Sequence, residues 1–455
     1  MEKIMKVLTR LGTLAAVMAL AFLFNPDALR AQNDRGCAWP IELSPEGFGN
    51  MTGPDTFARY WVVPFDHYDT MTIQGTYPNA RYFSFVAYNT KDDGTSTGKM
   101  PRNVTTSLYD AQIVPDSGSN NPFVKPRGGN GTYTVVISRA GQTSGNTIGL
   151  PSGGLSSGFA WVLLRVYEPD ADPSVSGQSL MGGVPLPTIS VTGNGPSQQL
   201  QPCSPVNKLN DVRGFLQSFF PPEFDILGHE GTPSSGRLWF APPKVTPIVL
   251  MPNPDNKYVV AFPGDQYEPG RIIVIRGKSP SFPETFEGSR HWVASRGVRN
   301  AHVRYWSLCI DNLALPVTVV GCKVDLTTDV EDDYYTVVIS DDLQRPDWLR
   351  LNINWLPWGD EQYPKVVFLR NMLPSSNFPY SIQKAIDPGS CTFDFDFPTL
   401  PDRDPVDTAG QCAQGVMGDY YPVAAWCDKA TFISRGVRAC LDERDRDRKW
   451  EQPWR

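Results

Sequence analysis

Histidine is scarce in this 455-residue chain, and the four present, His67, His229, His291 and His302, form no His-Glu-x-x-His pair. The zinc-protease signature is therefore excluded. No Cys-x-x-Cys string and no Cys/His cluster offers the close spacing of a zinc site. Outside the C-terminal run, Lys and Arg nowhere gather into a patch, and the net charge is −7. That removes the electrostatic footprint on which nucleic-acid binding depends. Nothing after residue 24 resembles a membrane span. Low-complexity tracts are absent too: 42 Pro and 39 Gly punctuate the chain without dominating it, which predicts many turns and few long helices.

What is present begins with a leader. Lys3, Lys6 and Arg10 precede a charge-free run from Leu11 to Phe24, and Ala28-Leu-Arg-Ala31 follows. This order of positive, apolar and small residues predicts a secretory signal, residues 1–31, cut after Ala31. The apolar run is shorter than the roughly 20 residues a bilayer requires, so no membrane span remains after cleavage; a retained N-terminal anchor is the alternative. Losing Lys3, Lys6, Arg10 and Arg30 together with Glu2 and Asp27 moves the net charge to −9. The C-terminal run Asp442–Arg455 balances five acids against five bases and reads as a solvated end.

A secreted or periplasmic location agrees with the cysteines. Cys37, Cys203, Cys309, Cys322, Cys391, Cys412, Cys427 and Cys440 all lie beyond the leader. An even set in an oxidising compartment predicts four disulfides. We expect Cys309 with Cys322 across a short loop, Cys37 with Cys203 closing the first half, and the last four among themselves.

The strongest internal signal is repetition. Tyr133-Thr-Val-Val-Ile-Ser138 recurs identically as Tyr335-Thr-Val-Val-Ile-Ser340, 202 residues later. Met71–Gly75 answers Ile273–Gly277 at the same offset, Val162–Arg165 answers Val367–Arg370, and Arg81-Tyr-Phe-Ser84 answers Arg304-Tyr-Trp-Ser307. An offset this long implies two whole domains instead of a solenoid. Within each half the runs are short, rich in β-branched and aromatic residues, and bounded by Gly, Pro, Asn or Asp, as in Tyr258–Phe262 and Arg271–Ile275.

The expected fold is therefore all-β: two sequence-related antiparallel β-sandwich, jelly-roll-like domains, residues 38–205 and 245–375. A short helical linker, 206–244, carries Leu209, Val212, Leu216 and Phe219 on one helical face. Residues 376–455 form a cysteine-containing C-terminal extension with a charged tail.

Several motifs resemble a known group. Pro252-Asn-Pro-Asp-Asn-Lys-Tyr258, Arg304–Ser307, Tyr335–Ser340 and Asn354-Trp-Leu-Pro-Trp358 before Phe368-Leu-Arg370 resemble uncharacterised secreted bacterial proteins similar to the domain-of-unknown-function families 1254 and 1214. Pro54-Asp-Thr56 with Tyr60, and Leu163–Tyr167, look like looser first-half copies. The chain departs in having Asn256 where Thr is usual and in lacking a first-half Asn-Trp-Leu-Pro. The resemblance implies a β-sandwich and carries no established chemistry.

Catalytic signals are thin. Gly154-Leu-Ser-Ser-Gly158 fits a nucleophile-elbow string, but it leads into a strand where the elbow needs a helix. His67 lies between Asp66 and Asp69, an arrangement shared by a base with its orienter and by an ordinary acidic loop. No cofactor is predicted. Calcium is the one ion with candidate ligands, Asp402, Asp404 and Asp407 in a Pro-rich turn, or Asp329, Glu331, Asp332 and Asp333, though neither group has EF-hand spacing. Asn50, Asn103 and Asn130 head Asn-x-Ser/Thr strings.

Binding of a carbohydrate or small molecule is the leading expectation, ahead of an extracellular hydrolase or other enzyme on a polymer or sugar, and of a structural envelope protein. The candidate ligand site is Asn253, Asp255, Asn256 and Tyr258 with Arg304, Tyr305 and Arg370. These are the polar residues of the shared segments, and a strand needs only apolar alternation to fold. The competing account is structural: Asn and Asp after Pro build turns, and a strand-end Arg can satisfy a carboxylate of its own domain.

Overall fold

The computed structural model describes residues 37–441 except 46–49, 51–54, 66–67, 90–102, 125–130, 140–143, 151–159, 170–179, 194, 204–235, 245–250, 265–266, 268, 284, 287–300, 314–316, 362, 388 and 396–400. The leader, the linker helix, the Gly154–Gly158 string, His67, His229, His291, Asn130 and the charged tail lie outside the described residues.

Twelve strands fall in the first half: β1 (Cys37–Ala38), β2 (Ile41–Leu43), β3 (Ala58–Pro64), β4 (Thr70–Thr76), β5 (Ala80–Asn89), β6 (Asn103–Tyr109), β7 (Thr132–Ser138), β8 (Thr147–Gly149), β9 (Ala160–Pro169), β10 (Thr188–Thr192), β11 (Gln198–Gln199) and β12 (Gln201–Pro202). Ten follow: β13 (Arg237–Leu238), β14 (Asn256–Gly264), β15 (Arg271–Lys278), β16 (Tyr305–Asn312), β17 (Thr318–Val324), β18 (Val330–Glu331), β19 (Tyr334–Ser340), β20 (Asn354–Pro357), β21 (Lys365–Met372) and β22 (Val423–Asp428). Helices α1 (Ile382–Ile386), α2 (Arg403–Met417) and α3 (Lys429–Leu441) come late in the chain. None of the described helices is long and apolar enough to cross a membrane.

Each half holds two main sheets. In the first the orders are β11-β10-β4-β7-β8 and β2-β3-β9-β5-β6; in the second they are β13-β22-β15-β19-β18, with β20 beside β19, and β14-β21-β16-β17. Pairing is antiparallel apart from β1·β12, β7·β8 and β19·β20, which are parallel.

The sheets lie in four layers, which the two-domain expectation did not include. Tyr60, Val62, Leu163 and Tyr167 of the first half share one core with Val260, Tyr305, Phe368 and Met372 of the second. The sheets β2-β3-β9-β5-β6 and β14-β21-β16-β17 therefore pack face to face. Their other faces close separate cores, with Trp61, Val162 and Leu164 on one side and Val259, Trp306 and Leu369 on the other. Strands buried on both faces carry apolar residues at successive positions, which is why β3, β5, β9 and β21 lack simple alternation, their apolar stretches being interrupted by buried Arg59, Arg81, Arg165 and Arg370.

The outer sheet of the first half keeps the period of two, and in both outer sheets a glycine faces a tyrosine. In β4·β7, Met71 faces Ile137 and Gly75 faces Tyr133; in β15·β19, Ile273 faces Ile339 and Gly277 faces Tyr335. Both glycines admit a tyrosine. A Cβ on Gly75 would stand 2.6 Å from the Tyr133 hydroxyl oxygen, and one on Gly277 2.7 Å from that of Tyr335.

All eight cysteines are bridged, as Cys37–Cys203, Cys309–Cys322, Cys391–Cys412 and Cys427–Cys440. The residues after 375 are not an appendage. β22 lies between β13 and β15, while Ala413 and Met417 of α2 and Tyr421, Ala424 and Trp426 complete the third core. Phe432 and Leu441 of α3, with Leu349 and Ile353, cover the outward face of β15, β19 and β22.

The acidic residues considered for calcium fall in two separate places, the start of α2 and the β18–β19 turn. Asp404 and Asp407 lie in the first turns of α2, where carboxylates complement the helix dipole, and Arg403 Nε sits 3.1 Å from Asp407. Asp332 and Asp333, at φ 49° and 68°, make the two-residue turn joining β18 to β19. Glu331 accepts a bond from Asn352 Nδ2 at 2.8 Å.

Candidate functional site

All seven predicted site residues converge on the shared central core. Asn253 and Asp255 stand in the turn before β14, Asn256 and Tyr258 on β14, Arg304 just ahead of β16, Tyr305 at its start, and Arg370 on β21. Tyr305 is fully buried and Arg370 is 1% exposed, so they face no open surface.

What they face is a set of reciprocal bonds between the halves. Arg81, on β5, grips Asp325 of the second half with Nη1–Oδ1 at 2.6 Å and Nη2–Oδ2 at 3.0 Å. Arg304 of the second half reaches Asp110 of the first at 2.9 Å. The exchange extends to the backbone: Arg81 Nη2 donates to the Arg304 carbonyl at 3.3 Å, and Arg304 Nε to the Arg81 carbonyl at 3.2 Å. Each aspartate opens a 3-10 turn after a strand and accepts two backbone amides, Phe83 and Ala111 for Asp110, Trp306 and Leu326 for Asp325.

A second exchange runs alongside. Asp55 of the first half accepts Arg370 Nη1 at 2.9 Å and the Tyr305 hydroxyl at 2.6 Å. Asp255 of the second half accepts the Tyr82 hydroxyl at 2.5 Å and Ser107 Oγ at 2.6 Å, while Arg165 donates to the Met251 carbonyl. Asn256 Nδ2 joins the Tyr258 and Tyr167 hydroxyls at 3.1 and 3.3 Å, and Asn253 Oδ1 accepts the Asp255 amide at 3.1 Å. The predicted residues thus lie together, and most of their hydrogen bonds are made within the protein, while Asn256 Oδ1 and Arg370 Nε are buried without a partner.

Burial dominates the electrostatics. It pushes Asp110 up to about 6, against the pull of Arg304, and Glu168 up to about 8, helped by Asp325 and opposed by Arg81. Asp311 is fully buried on β16, neither carboxylate oxygen has a hydrogen-bond partner, and its pKa stands well above the usual range through desolvation. Arg81 and Arg165 fall in the repeated strings and Asp55 in a segment of the family resemblance, but none of the three is among the predicted site residues. Asp110, Asp325, Glu168 and Asp311 carried no sequence signal, each being one acid next to or within a strand.

Asn50 is also occupied structurally: its side-chain amide exchanges bonds of 2.9 and 2.8 Å with Val319 of the second half.

An exposed feature lies elsewhere. Tyr380 stacks on Tyr420 with centroids 5.7 Å apart and ring planes 21° from parallel, and 46% of Tyr380 remains exposed. Phe378 braces both rings from 6.3 and 4.9 Å, and His302 stacks on Phe378 at 4.4 Å. His302 Nδ1 accepts the Ser281 amide at 3.2 Å; burial and then Lys278 lower its pKa, so the ring is neutral. Lys278 Nζ lies 5.9 Å from the Tyr420 centroid and 3.5 Å from Asp333, and the exposed Asp419 precedes Tyr420 in sequence. The stacked rings form an aromatic shelf with a cation beside Tyr420.

Fold and site together define a mostly β-sheet, disulfide-bonded protein with several antiparallel sheets and few helices. No family profile matches the chain, and no curated protein does. Among solved structures, an uncharacterised protein from Burkholderia cenocepacia is similar at 13% identity over 75% of this chain and 80% of its own, with a TM-score of 0.44. A protein from Vibrio parahaemolyticus is similar at 12% identity over 71% of this chain and 86% of its own, with a TM-score of 0.35.

Proposed function

We propose that the protein is an exported carbohydrate-binding module whose ligand stacks on Tyr380. The half-exposed ring carries this reading: an apolar face backed by Tyr420 and Phe378, with Lys278 beside Tyr420, suits a sugar that presents C–H groups on one side and hydroxyls around its rim. Export is supported by the leader-like N-terminus and by four disulfides, which fit an oxidising compartment.

We infer also that the halves descend from one duplicated unit. The constant 202-residue spacing of the Gly75·Tyr133 and Gly277·Tyr335 pairs and the exchanged Arg–Asp bonds support it. A distant relation to families 1254 and 1214 belongs to the same proposal.

The test is a soluble-glycan array followed by calorimetric titration of each hit with wild type and Tyr380→Ala. Loss of at least about tenfold in affinity at unchanged melting temperature is expected, since Tyr380 is a surface residue. A wild type that binds no glycan, or a variant that binds as well, overturns the reading.

A further inference from the structure

The two outer sheets are finished differently. The outward face of β22, β15 and β19 is apolar and lies under α3 and the 341–353 segment. The corresponding face of β10, β4 and β7 retains partial or full exposure at every outward position. Those positions are the alternate residues from Thr188 to Thr192, from Thr70 to Thr76 and from Thr132 to Ser138, opposite the buried Ile189, Ile73 and Val135.

The composition of this face is unusual. Its eleven side chains are seven Thr, two Ser, Gln74 and Val136, with no charge among them. At a usual surface level of about 25–35% charged residues, three or four charges would be expected there. Solvent-facing sheets normally carry such charges because a neutral, β-branched face invites unwanted association.

The hydroxyls also stand in register. Thr192, Thr70 and Ser138 lie in one row across the strands, Ser190, Thr72 and Val136 in the next, and Thr188, Gln74 and Thr134 in a third. Rows of this kind repeat about every 7 Å along a strand and about 4.8 Å across strands.

We propose that this face docks a neutral polysaccharide. An anionic polymer needs Lys or Arg and a cationic one needs carboxylates, and the face holds neither. An apolar partner would need a contiguous greasy patch, and Val136 is the one apolar side chain there. Hydroxyls and an amide that both donate and accept suit a repeating, uncharged, hydroxylated chain. The inference shares with the proposed function its class of ligand and not its site, because Tyr380 belongs to the second half.

The experiment is depletion of the full chain from solution by microcrystalline cellulose, curdlan and chitin, with wild type, Gln74→Lys, Thr72→Lys/Thr134→Lys and Tyr380→Ala. Gln74 is exposed, so its variant should fold whatever the fate of the double variant; melting curves check both. The expected result is retention of wild type and Tyr380→Ala on at least one solid, reduced at least about tenfold by the lysines, while soluble-glycan binding by the lysine variants is unchanged. No retention of wild type, equal retention of the lysine variants, or loss of all retention in Tyr380→Ala overturns the inference, and the last result leaves the aromatic shelf standing. Sedimentation that shows a wild-type dimer dissolved by Gln74→Lys also overturns it, by making the occupant a second copy.

Discussion

Replacing Arg81 by Met should be the most damaging single change in the shared core. Arg81 is fully buried, grips Asp325 through two bonds, touches Glu168 at 3.3 Å and donates to the Pro283 carbonyl at 3.0 Å. Met fills most of the volume but leaves Asp325 as an uncompensated buried charge, a loss of about 3–5 kcal/mol. Asp325→Asn strands the guanidinium instead and should cost a similar amount. The double variant, having neither charge, should be more stable than the sum of the two losses predicts, by about 1–3 kcal/mol. Urea denaturation of the four proteins at pH 7 measures the cycle. Because the bond joins opposite halves, calorimetry should show one transition in wild type and two in Arg81→Met. A loss below about 1 kcal/mol, or single effects that add to within about 0.5 kcal/mol, would refute the claim that these bonds tie the halves.

The remaining expectations concern other buried groups. Unfolded Asp ionises near pH 3.9, whereas the folded Asp311 carboxyl holds its proton well above that, so stability falls as pH rises through the interval; Asp311→Asn should raise the urea midpoint at pH 8 and leave it unchanged at pH 3. Glu168, pushed up to about 8, should add a decline between about pH 4.5 and 8 that Glu168→Gln removes, as a pH series of urea midpoints would register. Gly75→Ala and Gly277→Ala should each cost about 1–3 kcal/mol by thermal unfolding, because the new methyl meets a tyrosine hydroxyl; Tyr133→Phe, which removes an unpartnered hydroxyl, should be near neutral alone and recover part of the Gly75→Ala loss. Mass spectrometry with alkylation before reduction should find no free thiol.

Strand positions and disulfides were legible because they depend on local chemistry. Tyr258–Phe262 and Arg271–Ile275 announce strands by β-branching, and Cys309 with Cys322 announces a bridge by falling on two runs joined by a short loop. Layering depends on which faces meet, and a run such as Ala160–Val166 reads alike whether one neighbouring layer or two cover it. The late strand Val423–Asp428 was hidden because its partner β15 lies some 150 residues earlier, and the cysteines around it suggested a loop-rich extension. Arg304 and Arg370 stood out as polar residues among apolar ones, a signature that a ligand site and an internal ion pair share. Their partners decide between these, and Asp110 and Asp325 become adjacent to the arginines only when the halves meet. Tyr380 escaped notice because a single aromatic in a Pro-rich loop is ordinary until its neighbours in space are known.

The position of β22 has a consequence for how the molecule reaches its final form. This strand follows every other described strand, yet it lies inside a sheet, hydrogen-bonded to β13 and β15. A polypeptide emerging from its N-terminus can assemble the first half early, but that half then presents Tyr60, Val62 and Tyr167 to solvent until β14, β16 and β21 arrive. The second half in turn waits for residues 423–428 to fill the gap beside β15. Maturation is therefore gated by residues 423–428, and a chain stopped short of Val423 would carry an open sheet edge and an unsealed third core into whatever compartment receives it.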